Sequence, residues 1–246
     1  MPESPVAIWK QPDTVAKFIE HVRSSTPLGI EQIDVILRLI AAARDEVGAF
    51  LNIGCGDGLL AAALLDEFPA ARGLLLDASA PLVDLARQRL RKQLHRIDCQ
   101  SADLVPQTAW CRQTAAFAPF DAIICSFATG NLLDARKRAI YEEAFALLKP
   151  DGVFLNIEVV ASATRWTESI IGDYLINAIF GDERSDPRHR SAAEIARAYY
   201  RRSSRNSPSC APLEVQCDWL REAGYINVAC YLKVLELAIF GGQRPG

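Results

Sequence analysis

The nine residues FLNIGCGDG (50–58) constrain this chain more than any other stretch, because they place three glycines at alternate positions between a buried strand and a buried helix. GAFLNIG (48–54) is a short apolar run ending in glycine, and GLLAAALLDEF (58–68) has the composition of a helix covered on most sides. Strand, glycine turn and helix make one unit of an α/β sheet. Glycines at such a turn let the backbone approach a ligand where a Cβ would block it. The spacing excludes two phosphate-binding turns. Counted from Gly54 and Gly56, GxGxxG requires a glycine where Leu59 stands, and a phosphate loop requires GxxxxGK followed by Ser or Thr.

The same unit recurs along the chain. GLLLDAS (73–79) reads as a second buried strand, followed by a helix that opens at Pro81 and keeps Leu82, Leu85, Ala86 and Leu90 in phase. IDCQSADL (97–104) is a weaker strand and FDAIICSFA (120–128) a strong one. The next helix runs from an N-cap at Asp134 to Leu148, where Pro150 and Gly152 stop it. VFLNIEVV (153–160) is a fifth strand. Continuous apolar strands alternating with helices imply a parallel sheet covered on both faces. Ile33, Ile36, Leu37 and Ile40 form the stripe of an amphipathic helix ahead of the first strand. After Val160 the chain turns polar, helical and arginine-rich until Pro212. LEVQCDWLREAG (213–224) is then a helix with Gly224 at its C-terminal end. YINVACYL and KVLELAIFGG follow too closely for a helical crossover and must pair antiparallel.

The expected architecture is therefore a doubly wound α/β domain with a seven-stranded, mostly parallel sheet and an antiparallel last strand. We divide it into a helical cap (1–45), a cofactor-binding core (46–160), a helical lid (161–212) and a closing helix with a strand pair (213–246). With 246 residues, half of them hydrophobic, one core is sufficient. A formal charge of −3 supplies no global field for nucleic acid or anionic membrane. The N-terminal residues lack the apolar core of a signal peptide, and no stretch reaches transmembrane length, so the expectation is a cytoplasmic protein. The seven cysteines show no CxxC pair and no histidine at metal-ligand spacing, which points to reduced, mostly buried thiols and no metal. Cys125, Trp110 and Trp219 read as packing residues.

With Asn52, Gly54, Gly56 and Gly58 in the first motif, the chain resembles the class I S-adenosylmethionine-dependent methyltransferases, whose first strand ends in an acidic or amide residue followed by GxGxG. Asp77 ends the second strand, Asp103 follows the third, LLKPDGVFLNIE (147–158) is similar to the segment that precedes the family's fifth strand, and the reversed final strand fits too. Asn52 departs from the commoner Asp or Glu, and Asp151 replaces a glycine.

The resemblance implies S-adenosyl-L-methionine as cofactor, bound by Asn52, Gly54, Cys55, Gly56, Asp77, Ala78, Leu82, Asp103, Leu104, Ser126 and Phe127. Physical roles follow. The turn's backbone and the helix N-terminus suit the methionine carboxylate, and Asp77 has two oxygens for two ribose hydroxyls. Asp103 either accepts from the adenine amino group or is a surface acid, with Leu82 and Leu104 as apolar faces for the ring. Ser126 and Phe127 frame the amino-acid end. Cys55 fits the turn through its small size rather than as a nucleophile.

The activated methyl group needs an acceptor held close and dry for in-line displacement, so no dedicated catalytic residue is assigned. Glu158, Tyr174, His189, Tyr199 and Tyr200 are undifferentiated candidates for a general base. The segment after the fourth strand, SFATGNLL, lacks the Asn/Asp-Pro-Pro-Tyr sequence of base-flipping relatives, which favours a small-molecule acceptor over nucleic acid. Asn131, Tyr174, Tyr199, Tyr200 and Arg201 are the expected substrate contacts. Seven arginines between Arg184 and Arg205 suit either an anionic acceptor or a solvated face. Two alternatives stay open. The back half is similar to carboxy-S-adenosylmethionine synthases, with Arg201 near the place of their carboxylate-binding arginine. A non-catalytic protein binding S-adenosylmethionine or S-adenosylhomocysteine also fits. The oligomeric state is open, a dimer included.

Overall fold

The structure is a computed structural model in which residues 29–105, 110–114, 116–130, 132–183, 191, 194 and 211–246 are described. Helix α1 (Gly29–Ala43) precedes β1 (Ala49–Ile53), α2 (Leu59–Glu67), β2 (Arg72–Asp77), α3 (Ala80–Arg89) and β3 (Ile97–Ser101). The short α4 (Cys111–Thr114), β4 (Phe120–Ser126), α5 (Asp134–Leu147), β5 (Leu148–Val159) and α6 (Arg165–Glu183) follow. The chain closes with α7 (Leu213–Glu222), β6 (Ile226–Val234) and β7 (Leu237–Gln243).

All seven strands form one sheet in the order β3-β2-β1-β4-β5-β7-β6. The first five are mutually parallel, and β7 runs antiparallel to both β5 and β6. Strand periodicity sorts the core into two layers. Leu51, Ile53, Ile123, Cys125 and Phe154 face the layer packed by α5 and α7, with Ile140, Tyr141, Trp219 and Leu220. Phe50, Ile124, Val153 and Leu155 face the layer of α1, α2 and α3, with Ile36, Leu64 and Val83. Helices on both faces are what the continuous apolar strands required. Trp110 and Cys125 are fully buried and Trp219 nearly so.

Three local features differ from the sequence reading. Helix α5 is capped at Leu133, in an extended conformation, and Asp134 is its first residue, placing a carboxylate in the positive first turn. The helix ends at Leu147, before Pro150 and Gly152, because the residues ahead of a proline avoid helical ψ. Strand β5 then starts at Leu148 rather than Val153, and the early part tolerates Asp151 at φ 62° and an irregular register between Phe120 and Ala122. Of the expected cap, residues 1–28 lie outside the described residues, and of the expected lid residues 184–190, 192–193 and 195–210 do. The ends of that insertion meet in a bridge between Ala161 and Pro212.

Candidate functional site

Strand β1 sits between β2 and β4, and the helices after β1 and β4 lie on opposite faces, so a crevice opens at the C-terminal edges of these strands. The glycine turn lines it. Gly54, Gly56 and Gly58 take φ values of 71°, 55° and 80°, a region that L side chains enter only with strain, which explains three alternating glycines in one turn. The backbone N–H groups of Gly54 and Cys55 both donate to the Leu76 carbonyl, at 2.7 and 3.0 Å. A Cβ on Gly54 would lie 2.2 Å from the Ser126 carbonyl oxygen, so β1 and β4 approach each other more closely there than any side chain allows. A Cβ on Gly56 would meet nothing within 4 Å. Gly54 is required by the fold, whereas Gly56 leaves open space at the mouth of the turn.

Asp77 links this turn to β2. One carboxylate oxygen accepts from the Gly56 N–H and the other from the Ser79 N–H, both at 2.9 Å. Burial pushes the Asp77 carboxyl above its ordinary range against those bonds. Each oxygen keeps a further lone pair for a ligand hydroxyl. Ala78 is half-buried beside it, and Leu82 is buried on α3. Asp103 follows β3 and accepts from the Val105 N–H at 2.9 Å, and the buried Leu104 is held through its carbonyl by Arg136 Nε at 2.6 Å. Asn52 is fully buried, with Nδ2 3.5 Å from the Ile124 carbonyl and Oδ1 without a hydrogen-bond partner. Ser126 Oγ is likewise buried and unpartnered, and Phe127 follows at φ 52° with its side chain exposed. These residues fit an adenosyl amino acid: an open cradle at Gly56, paired acceptors on Asp77, and an unpartnered hydroxyl at Ser126.

Cys55 is buried, and desolvation together with the charge of Asp77 pushes its thiol well up, leaving no reactive thiolate. Tyr174 lies exposed on α6. Asn131, His189, Tyr199, Tyr200 and Arg201 lie outside the described residues. Glu158 is buried beneath the loop after β4, and its oxygens accept from Thr129 and Val159, so it does not sit at the pocket mouth as a general base. Burial raises its carboxyl against the Val159 N–H bond, the Lys137 charge and the bonds from Thr129. Thr129, Lys137 and Glu158 thus form a buried polar group that patterning did not reveal. The only hint was a lysine and a glutamate in otherwise core-facing positions. Among the described residues, no group of three His, Cys, Asp or Glu side chains could hold a metal, and no helix is long and apolar enough to cross a membrane.

The comparisons bear on this geometry directly. Residues 50–152, which hold the turn, Asp77 and Asp103, match the family model for a methyltransferase domain. Over this segment, about two fifths of its length, the chain is similar to that family. By sequence, no curated protein matches the chain. Among solved structures, an O-methyltransferase family protein from Burkholderia thailandensis is similar with TM-score 0.63 at 18% identity, covering 96% of this chain and 60% of that one. Human N-acetylserotonin methyltransferase in complex with S-adenosylmethionine gives TM-score 0.59 at 16% identity, over 100% of this chain and 60% of that one. The N-methyltransferase NodS from Bradyrhizobium japonicum gives 0.55 at 17%, over 90% and 99%. The chain therefore spans about three fifths of the first two proteins and nearly all of the third. All three share the fold, and the matched segment holds its glycine turn at the C-terminal edge of the parallel strands, where doubly wound folds bind ligands.

Proposed function

We propose that this protein transfers a methyl group from S-adenosylmethionine to a small-molecule acceptor by in-line displacement. The observation that carries the reading is the left-handed glycine turn pinned to Asp77, with open space at Gly56. Gly54 and Gly56 offer backbone to the methionine part, and the N-cap of α2 is Gly58, which has no side chain to cap it, with the Leu59 N–H donating to Asp57 Oδ1 at 3.3 Å. Asp77 holds the ribose hydroxyls, Asp103 accepts from the adenine amino group, and Leu82 and Leu104 flank the ring. The bound sulfonium supplies an electrophilic methyl group. The chain's contribution is to orient the acceptor and exclude water, which accounts for much of the rate in such transfers. The fold neighbours named as O- and N-methyltransferases support an oxygen or nitrogen nucleophile on a small acceptor.

Calorimetry tests the reading. S-adenosylmethionine and S-adenosylhomocysteine should bind and raise the melting temperature, as ligands selective for the native state do, and NAD(P) should do neither. A folded protein that binds neither adenosyl compound overturns the assignment. Transfer itself is read with methyl-labelled cofactor against a panel of small phenols, hydroxy acids and amines. Label appearing in no acceptor, despite tight binding, would identify a binding protein instead.

A further inference from the structure

Resting on that reading, we propose that Glu158 is a positioning residue: its buried carboxylate holds the loop after β4 against the glycine turn and so shapes the pocket for the amino-acid end of the cofactor. The loop begins where β4 meets the turn, since Ser126 O and the Ala128 Cβ lie 2.2 and 2.9 Å from the place a Gly54 Cβ would occupy. It then folds over Glu158. Thr129 donates to Oε2 twice, from its backbone N–H at 3.2 Å and its hydroxyl at 3.0 Å, while Val159 N–H donates to Oε1 at 2.9 Å. Gly130 passes so near that a Cβ would sit 2.8 Å from Oε1. Asn156 Nδ2, 3.5 Å from Thr129 Oγ1, supports the hydroxyl from behind.

Charge compensation comes from Lys137 on α5, which is fully buried and acts electrostatically on Glu158. A buried charge is retained in a fold only when it is paired and hydrogen-bonded, and removal of one partner leaves the others stranded. Here two of the three hydrogen bonds to the carboxylate come from the loop, both from Thr129. Phe127, in its left-handed conformation with its N–H bonded to Ile157 O at 2.8 Å, and Thr129 are thereby fixed on either side of Ala128. The residues that frame the methionine part are placed by a carboxylate that does not touch it, whereas the ribose and adenine contacts belong to β2 and β3.

That division supplies the test. S-adenosylhomocysteine carries the amino-acid part, and 5′-methylthioadenosine lacks it but keeps the ribose, adenine and sulfur. Glu158→Gln removes the charge and puts a donor in place of one of the two accepting oxygens, so either Thr129 or the Val159 N–H loses its acceptor, and Thr129→Val removes one hydroxyl donor at almost constant volume. Both variants should lose about tenfold or more in affinity for S-adenosylhomocysteine, the order expected for one charge-assisted bond, while methylthioadenosine affinity stays constant. Thr129→Ser should restore wild-type selectivity, and Asp77→Ala should weaken both ligands together. Should Glu158→Gln fail to fold, Thr129→Val against Thr129→Ser decides alone. An unchanged ratio of the two affinities in Thr129→Val, with wild-type binding intact, overturns the inference and leaves the cofactor reading standing. Wild-type protein that binds neither ligand overturns that reading instead.

Discussion

The three glycines of one turn look alike in sequence and do different work in space. At Gly54 an added methyl group collides with backbone oxygen 2.2 Å away and must also adopt φ 71°, so Gly54→Ala should lose about 3 kcal/mol or more of stability. At Gly56 the methyl group meets no protein atom and bears only the left-handed cost of about 1 kcal/mol. It enters the space assigned to the ligand. Urea unfolding and titration with S-adenosylhomocysteine on both variants separate the two: Gly56→Ala should keep most of its stability and lose binding. A Gly56→Ala protein with full affinity would move the ligand away from the turn. For Asp77→Ala, loss of the ribose bonds should weaken S-adenosylhomocysteine by about 1–3 kcal/mol. An unchanged dissociation constant would remove Asp77 from the site. The glycines and Asp77 were legible because their roles are local to a turn and a strand end. The bonds between Thr129 and Glu158 were not, since they join residues 29 positions apart across neighbouring strands and depend on register.

Among the elements, the ends of the sheet away from the site are joined through Asp121. This fully buried carboxylate at the start of β4 accepts from Gly48 N–H, Ala49 N–H and Lys149 Nζ at 2.8, 2.9 and 2.8 Å, and pairs with Arg44 at 2.9 Å. It ties the end of α1, the start of β1 and the start of β5 to one strand. Burial by itself raises the carboxyl, but the bonds from Lys149, Ala49 and Gly48 outweigh it and hold it below the ordinary range. A lowered folded-state pKa contributes stability that is present above the unfolded value, about 3.9, and is lost as pH falls through the folded value. Asp121→Asn should therefore cost about 1–3 kcal/mol at pH 7, with a much smaller difference from wild type in acid, once pH has fallen through the folded value. Urea midpoints at the two pH values check it, and a deficit that persists in acid would show that packing, not charge, is involved. The aspartate inside the apolar run FDAIICS was the visible signal, but its partners lie in three other elements. Element identities were readable because periodicity is local, as Ile36 and Ile40 show for α1. The α5 to β5 boundary was not, because Leu148 enters the sheet through pairing with Phe120, a contact with no local signature.

At the scale of the molecule, the strand directions followed from a parallel βα repeat ending in two strands too close for a crossover, whereas the order of the strands in the sheet has no such local signature. The segment expected as a lid does not reduce to such rules. Its described helix α6 carries Trp166, Ile170 and Tyr174 at four-residue spacing, and they are 71%, 49% and 62% exposed. Three large apolar residues along one helical face present a surface that gains by being covered. This helix starts seven residues after Glu158 in the chain, and the acceptor is the covering group consistent with the proposed function. Trp110 and Trp219 are buried and contribute a constant emission, which makes Trp166 a reporter in a Trp9→Phe background. S-adenosylhomocysteine alone should leave its emission and acrylamide quenching near those of an exposed indole. Addition of a true acceptor should shift the emission to the blue and reduce quenching, and Trp166→Ala should raise the acceptor's KM with little change in S-adenosylhomocysteine affinity. If Trp166 stays equally quenchable in the ternary complex, the apolar face of α6 does not close over the acceptor, and the pocket is completed by other parts of the chain.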